Sequence, residues 1–78
     1  MKKVMLEVSV NGRLYNKPAI AAKDESVVAF MGENGLQVFR PNLHGDAWVG
    51  NKRYEFTGEP GHYFPEIEAA AKKLAAAD

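Results

Sequence analysis

His44 and His62 are the only histidines in the chain, and Asp46 stands two residues after the first. Two imidazoles and a carboxylate are the donor set of a facial-triad metal site. The spacing matches no ligand pattern, however, and both histidines fall in Gly-containing turns, so they read as solvent-facing turn residues. Nucleophilic catalysis has less support. Ser9 and Ser26 are the only serines; neither lies in a Gly-x-Ser-x-Gly elbow, and no general base stands nearby. Gly32-Glu33-Asn34-Gly35 contains the glycines of a phosphate cradle but lies between two strand patterns and lacks the lysine and hydroxyl that a P-loop requires. Paired carboxylates such as Glu7, Glu33 and Glu55 would need an enclosing cleft, which a chain this short has little wall to build. These residues exclude no chemistry one by one, but together they predict a protein that is not an enzyme and needs no metal or cofactor.

Rings and cations form the other set. Trp48, Lys52, Arg53 and Tyr54, with Arg40 nearby, combine stacking surfaces with positive charge, as single-stranded nucleic-acid binders do. Tyr54 and Phe56 share one face at period two, and in a small domain that face is the natural core. Met5, Trp48, Tyr63 and Phe64 form a second set, of anchors for a protein partner. Tyr63 and Phe64 are adjacent at a helix entrance and cannot both point inward with ease, which predicts an exposed apolar patch containing Met5, Tyr63 or Phe64.

The elements that position these residues follow from periodicity. Val4, Leu6, Val8 and Val10 alternate with polar residues and Met5, the signature of a half-buried strand. Asn11-Gly12 turns the chain, and residues 13 to 22 return. A three-residue loop that pairs Ser9 with Arg13 sets Val8 against Leu14 on the apolar face, and is the expected register. The same device, Glu33-Asn34-Gly35, is expected to pair Phe30 with Val38 and to place Val28, Phe30, Leu36 and Val38 on one side. A third hairpin turns at Gly50-Asn51-Lys52 and sets either Trp48 or Val49 against Tyr54. Lys17 and Pro18 mark the second strand as an edge, because proline cannot donate to a ladder and lysine discourages strand addition; a homodimer through that edge is one expectation to test.

Pro65 suits a first helical position, and residues 66 to 77 read as helix, with Glu66 and Glu68 early and Lys72 and Lys73 late. Its core stripe is Ile67, Ala70, Ala71 and Leu74. The expected fold is α+β: about six short antiparallel strands in hairpin order over residues 3 to 57, as a curved sheet or partly open small barrel, with one C-terminal helix (65 to 77) packed on it. Residues 1 to 78 make one small domain.

Composition bounds the function. The chain has 78 residues, 46% of them hydrophobic and 10% aromatic, enough for one modest core. Ten cationic residues balance ten acidic ones, so no net field gathers nucleic acid or an anionic membrane. Cysteine is absent, which removes disulfides and thiolate chemistry. The charged start Met1-Lys2-Lys3 is interrupted by Glu7 before an apolar run develops, and Val27 to Met31 is far short of a membrane span, so the expected location is cytoplasmic.

The resulting expectation is a non-enzymatic binding module whose partner is another protein, acting as an inhibitor or adaptor. Small phage-encoded inhibitors of host defence, anti-CRISPR proteins among them, are similar in size and composition, although no motif ties this chain to them. The alternative is a single-stranded nucleic-acid-binding β domain using Arg40, Trp48, Lys52, Arg53 and Tyr54. A third is a designed scaffold without biological activity: Glu68-Ala69-Ala70-Ala71-Lys72 is the unit of rigid helical linkers, whereas Asn42, His44 and the irregular Pro/Gly loops are features that idealised designs avoid.

Overall fold

The computed structural model describes residues 1–59 and 64–77. Six strands form in chain order: β1 Lys2–Val10, β2 Arg13–Ala21, β3 Val28–Gly32, β4 Gly35–Pro41, β5 Ala47–Val49 and β6 Lys52–Phe56. A helix, α1 Glu66–Ala76, follows. All strand pairs are antiparallel, and they close into a barrel in the order β1-β2-β3-β4-β6-β5. The expected α+β fold is therefore present, with the strand pairings completing a ring.

The ring is not built from next neighbours throughout. β4 pairs with β6, and β5 pairs with β1. Pro41 and Ala47 flank Tyr54 from opposite sides, so the loop 42–46 must step across β6. Gly45 makes that step possible. It is buried, and a Cβ there would collide with the Tyr54 carbonyl and lie 2.8 Å from the Glu55 nitrogen. Only a residue without a side chain lets two backbones approach so closely. Hydrogen bonds that hold the loop include Asn42 N–H to the Arg53 carbonyl at 3.1 Å, Gly45 N–H to the Asn42 carbonyl at 3.1 Å, and His44 N–H to the Asn42 side chain at 2.9 Å.

All three hairpin registers differ from expectation. The first pairs Val10 with Arg13 and Val8 with Tyr15, around a two-residue Asn11-Gly12 turn. Both turn residues have positive φ, 51° and 82°, the I′ geometry whose twist matches the strands it joins. That gain outweighs the exposure of Leu14, which is left 64% accessible opposite Ser9. In the second hairpin Gly32 pairs with Gly35, so Phe30 faces Gln37 and Ala29 faces Val38. Alternation misleads here because both faces of β3 and β4 are covered. Val28 and Phe39 lie inside the barrel, while Ala29 and Val38 lie outside, beneath α1. In the third hairpin Ala47, not Trp48 or Val49, faces Tyr54. Gly50 at φ 61° is the only turn residue there with positive φ, the II′ pattern of a two-residue loop.

Two apolar layers result. The barrel interior holds Leu6, Ala19, Ala21, Val28, Phe39, Ala47 and Tyr54. Tyr54 is the largest fully buried side chain, and its hydroxyl donates to the Glu25 carbonyl at 2.9 Å. Glu25, at φ 60°, turns the chain between β2 and β3. Its exposed carboxylate meets Lys2 at 3.3 Å and Lys52 at 3.6 Å, and Lys2 above all holds its pKa below 4.5. The second layer lies between α1 and the outer face of β2, β3 and β4: Ile67 and Ala71 pack towards Ile20, Ala29 and Val38. Pro65 is the N-cap rather than the first helical residue. The Glu68–Lys72 pair forms at 3.6 Å on the exposed face, where such a contact contributes a few tenths of a kcal/mol, about 0.3–0.5. Burying Ile67 contributes more, about 1.5–3 kcal/mol. Packing on the sheet, not surface charge, holds the helix.

Two seams of the barrel are short, β1–β5 and β2–β3, each with two paired positions, and the second leaves a free edge on β2. β2 pairs with β1 along its whole length but with β3 only at Ile20–Ala29 and Ala21–Val28. The cause is Pro18. Ala22 N–H donates to the Val27 carbonyl at 2.9 Å, which marks the even-numbered residues of β2 as those whose backbone points towards β3. Continued by one bonded pair beyond Ile20–Ala29, the ladder would set Pro18 against Met31, and proline has no N–H to give. Pairing stops there, and the β1–β2 hairpin projects as an arm. Pro18→Val is expected to extend the ladder, so that the amide gained at residue 18 is protected and the Met31 amide exchanges more slowly than in the parent. Net stability should change little, because the new hydrogen bond, about 1 kcal/mol, is offset by about 0.4–1 kcal/mol of unfolded-chain entropy. An open-chain exchange rate at the new residue-18 amide, with Met31 unchanged, would show that Pro18 does not end the pairing.

Candidate functional site

The opened seam exposes the inner side of the arm. Even-numbered residues of β1 and odd-numbered residues of β2 face the interior, so Val8 and Val10 lie beside Tyr15 and Lys17. Across from them stand Phe30, Gln37, Phe39 and Phe56, and together these eight line a groove of about 340 Å³. Phe30 stacks on Phe39 with centroids 5.9 Å apart, and Phe56 meets Phe39 edge-on at 5.6 Å. The three rings form a fixed wall continuous with the core. At its rim three large apolar side chains stay accessible: Val10 at 47%, Tyr15 at 47% and Phe56 at 54%.

Charge in the groove has one sign. Among the described residues Lys17 is the only ionisable lining residue besides Tyr15, and Arg13 shares the inner face of β2, next to Tyr15 on the side of the turn. Neither makes an ion pair among the described residues. The arrangement suits an apolar ligand that carries negative charge.

The residues singled out from the sequence distribute differently. Trp48 pairs with Arg53 on the outer face, where the guanidinium lies 5.4 Å from the ring centroid and also donates to the Leu43 carbonyl at 3.0 Å. Met5 is 52% accessible on the same outer face, on the neighbouring strand. Phe64 is 47% accessible at the helix entrance; Tyr63 and His62 lie outside the described residues. Arg40 donates to the Glu59 carbonyl at 3.3 Å, and Lys52 pairs with Glu25 at the closed end of the barrel. Tyr54 is 1% accessible, so its ring offers no stacking surface. Of the residues of the nucleic-acid reading, Arg40, Trp48 and Arg53 thus share the outer face of the adjacent strands β4, β5 and β6, whereas Lys52 turns to Glu25 and Tyr54 lies inside the barrel. His44 and Asp46 belong to no cluster of three or more ligating side chains among the described residues.

Val10, Tyr15 and Phe56 were not legible as a site. Phe56 shares Tyr54's face and so reads as core. The usable signal was Pro18, which marks β2 as an edge and so leaves whatever faces inward along residues 13 to 17 uncovered. No family model, curated protein or solved structure matches the chain.

Proposed function

We propose that this chain is a non-enzymatic binding module that takes an apolar, negatively charged segment of another protein in the groove between the β1–β2 arm and the Phe30–Phe39–Phe56 wall. The observation that carries this reading is the convergence of Val10, Tyr15 and Phe56, each about half accessible, on one concave face with a single cation. Isolated exposed apolar residues need no explanation, but a contiguous concave set does. An inhibitor or adaptor role fits a domain whose described surface offers this groove and no ligating cluster.

The test is selection of a random peptide library on the immobilised protein, followed by affinity measurement on two variants. Phe56→Glu places a charge on the wall and is expected to weaken the selected peptides by roughly thirtyfold, the effect of losing an anchor of about 2 kcal/mol. Met5→Glu, on the opposite face of β1, should leave them unchanged. Circular dichroism confirms that both variants remain folded. Peptides indifferent to Phe56→Glu but lost with Met5→Glu would move the site to the outer face.

A further inference from the structure

Resting on the groove as the binding site, we propose that its partner docks as an added β-strand on the free edge of β2, with a carboxylate–x–apolar–x–carboxylate pattern. Two backbone hydrogen bonds set the edge's polarity. Ser9 N–H donates outward to the Asp46 carbonyl and Ala22 N–H to the Val27 carbonyl. Ser9 pairs with Leu14, so Leu14 and Asn16 are among the residues whose backbone N–H and C=O point away from β1. No strand pairs with either on that side among the described residues. An extended segment laid there gains main-chain hydrogen bonds at Leu14 and Asn16, the β-augmentation mode. Its intervening side chains then stand opposite Arg13, Tyr15 and Lys17, facing the groove.

Those three residues specify the ligand. Cross-strand neighbours of opposite charge attract and like charges repel, so the segment needs carboxylates opposite Arg13 and Lys17 and an apolar residue opposite Tyr15. A second copy of this chain fails the same criterion. Antiparallel β2–β2 pairing centred on Tyr15 sets Arg13 against Lys17 twice, cation against cation. Pro18 limits the docked segment to a few residues, because the next outward position after Asn16 has no N–H and the one beyond it, Ile20, is already paired with β3.

The test uses the full chain and labelled nonapeptides with the centre Glu-Thr-Phe-Thr-Glu, compared by fluorescence anisotropy with Lys-Thr-Phe-Thr-Lys, with the Glu peptide N-methylated on both Thr nitrogens, and with an oligo-dT of similar length. The Glu peptide is expected to bind at least about tenfold tighter than the Lys peptide, with the order reversed on Arg13→Glu/Lys17→Glu. N-methylation should cost at least about tenfold by removing two main-chain donors. The amides of Leu14 and Asn16 should gain exchange protection when the Glu peptide is bound. Equal affinity for the Glu and Lys peptides, indifference to N-methylation, absence of peptide binding, or tighter binding of oligo-dT would each overturn strand addition. Sensitivity of library-selected peptides to Phe56→Glu tests the groove separately, so the groove reading survives or falls on its own result.

Discussion

Gly45→Ala is expected to destabilise the barrel by at least about 3 kcal/mol, more than ordinary overpacking costs, because the obstacle is backbone. The added methyl falls on the Tyr54 carbonyl and lies 2.8 Å from the Glu55 nitrogen. Neither can yield without moving β6, and β6 holds both β4 and β5. A side chain at a rotamer could step aside; a ladder paired on both sides cannot. For a domain of this size such a loss lowers the melting temperature by about 12–24 °C, and it consumes much of a total stability of about 4–12 kcal/mol. Thermal unfolding followed by circular dichroism measures it. A variant within a few degrees of the parent would show that loop 42–46 does not need its close crossing over β6.

Tyr54→Ala is expected to cost about 3–5 kcal/mol, the range for removing a large buried ring. The ring fills the barrel interior beside Leu6, Val28 and Ala47, and every one of these neighbours would border the cavity. Tyr54→Phe separates the hydroxyl from the ring. It keeps the volume but deprives the Glu25 carbonyl of its 2.9 Å donor, a loss of about 1 kcal/mol. The same pair of variants reads out pH dependence. Burial first, and the Glu25 carboxylate second, push the Tyr54 pKa above 10.0. A raised pKa means that the unfolded chain loses this proton more readily than the folded one. The hydroxyl's contribution is therefore complete below pH 10.0 and is lost as pH rises through the higher folded value. Parent protein should thus lose stability under alkaline conditions by more than Tyr54→Phe does. Equal alkaline slopes in urea titrations would show that the phenol is not protected by the core.

Much of the architecture was readable from residue order. Period-two alternation in Val4 to Val10, the three Asn/Gly turns and the acidic-to-basic helix located every element, and Ile67, Ala70, Ala71 and Leu74 do line the helix contact. Registers were not readable, for a reason common to β3 and β4. Their strands are apolar on both faces, one towards the barrel and one towards α1, so a one-residue slip changes which core a side chain joins rather than exposing it. At the first hairpin the preference of Asn11-Gly12 for positive φ decided against burying Leu14. The crossing at Gly45 is a tertiary demand with no local periodicity. The groove was hidden for a related reason: whether Tyr15 and Phe56 are core or rim depends on where the β2–β3 ladder stops, and that is decided by the pairing partner that Pro18 would have had.

Pro18 leaves the β2 edge unpaired beside an open groove, and residue-by-residue amide exchange tests this without any ligand. Tyr15 and Lys17, whose N–H groups bond to β1, should exchange slowly, as should Ile20, which pairs with β3, while Leu14 and Asn16 between them exchange at rates close to those of an open chain. Protection at Leu14 and Asn16 equal to that at Tyr15 and Lys17 would mean that the β2 edge is covered along residues 14 to 16 and that no free edge stands beside the groove.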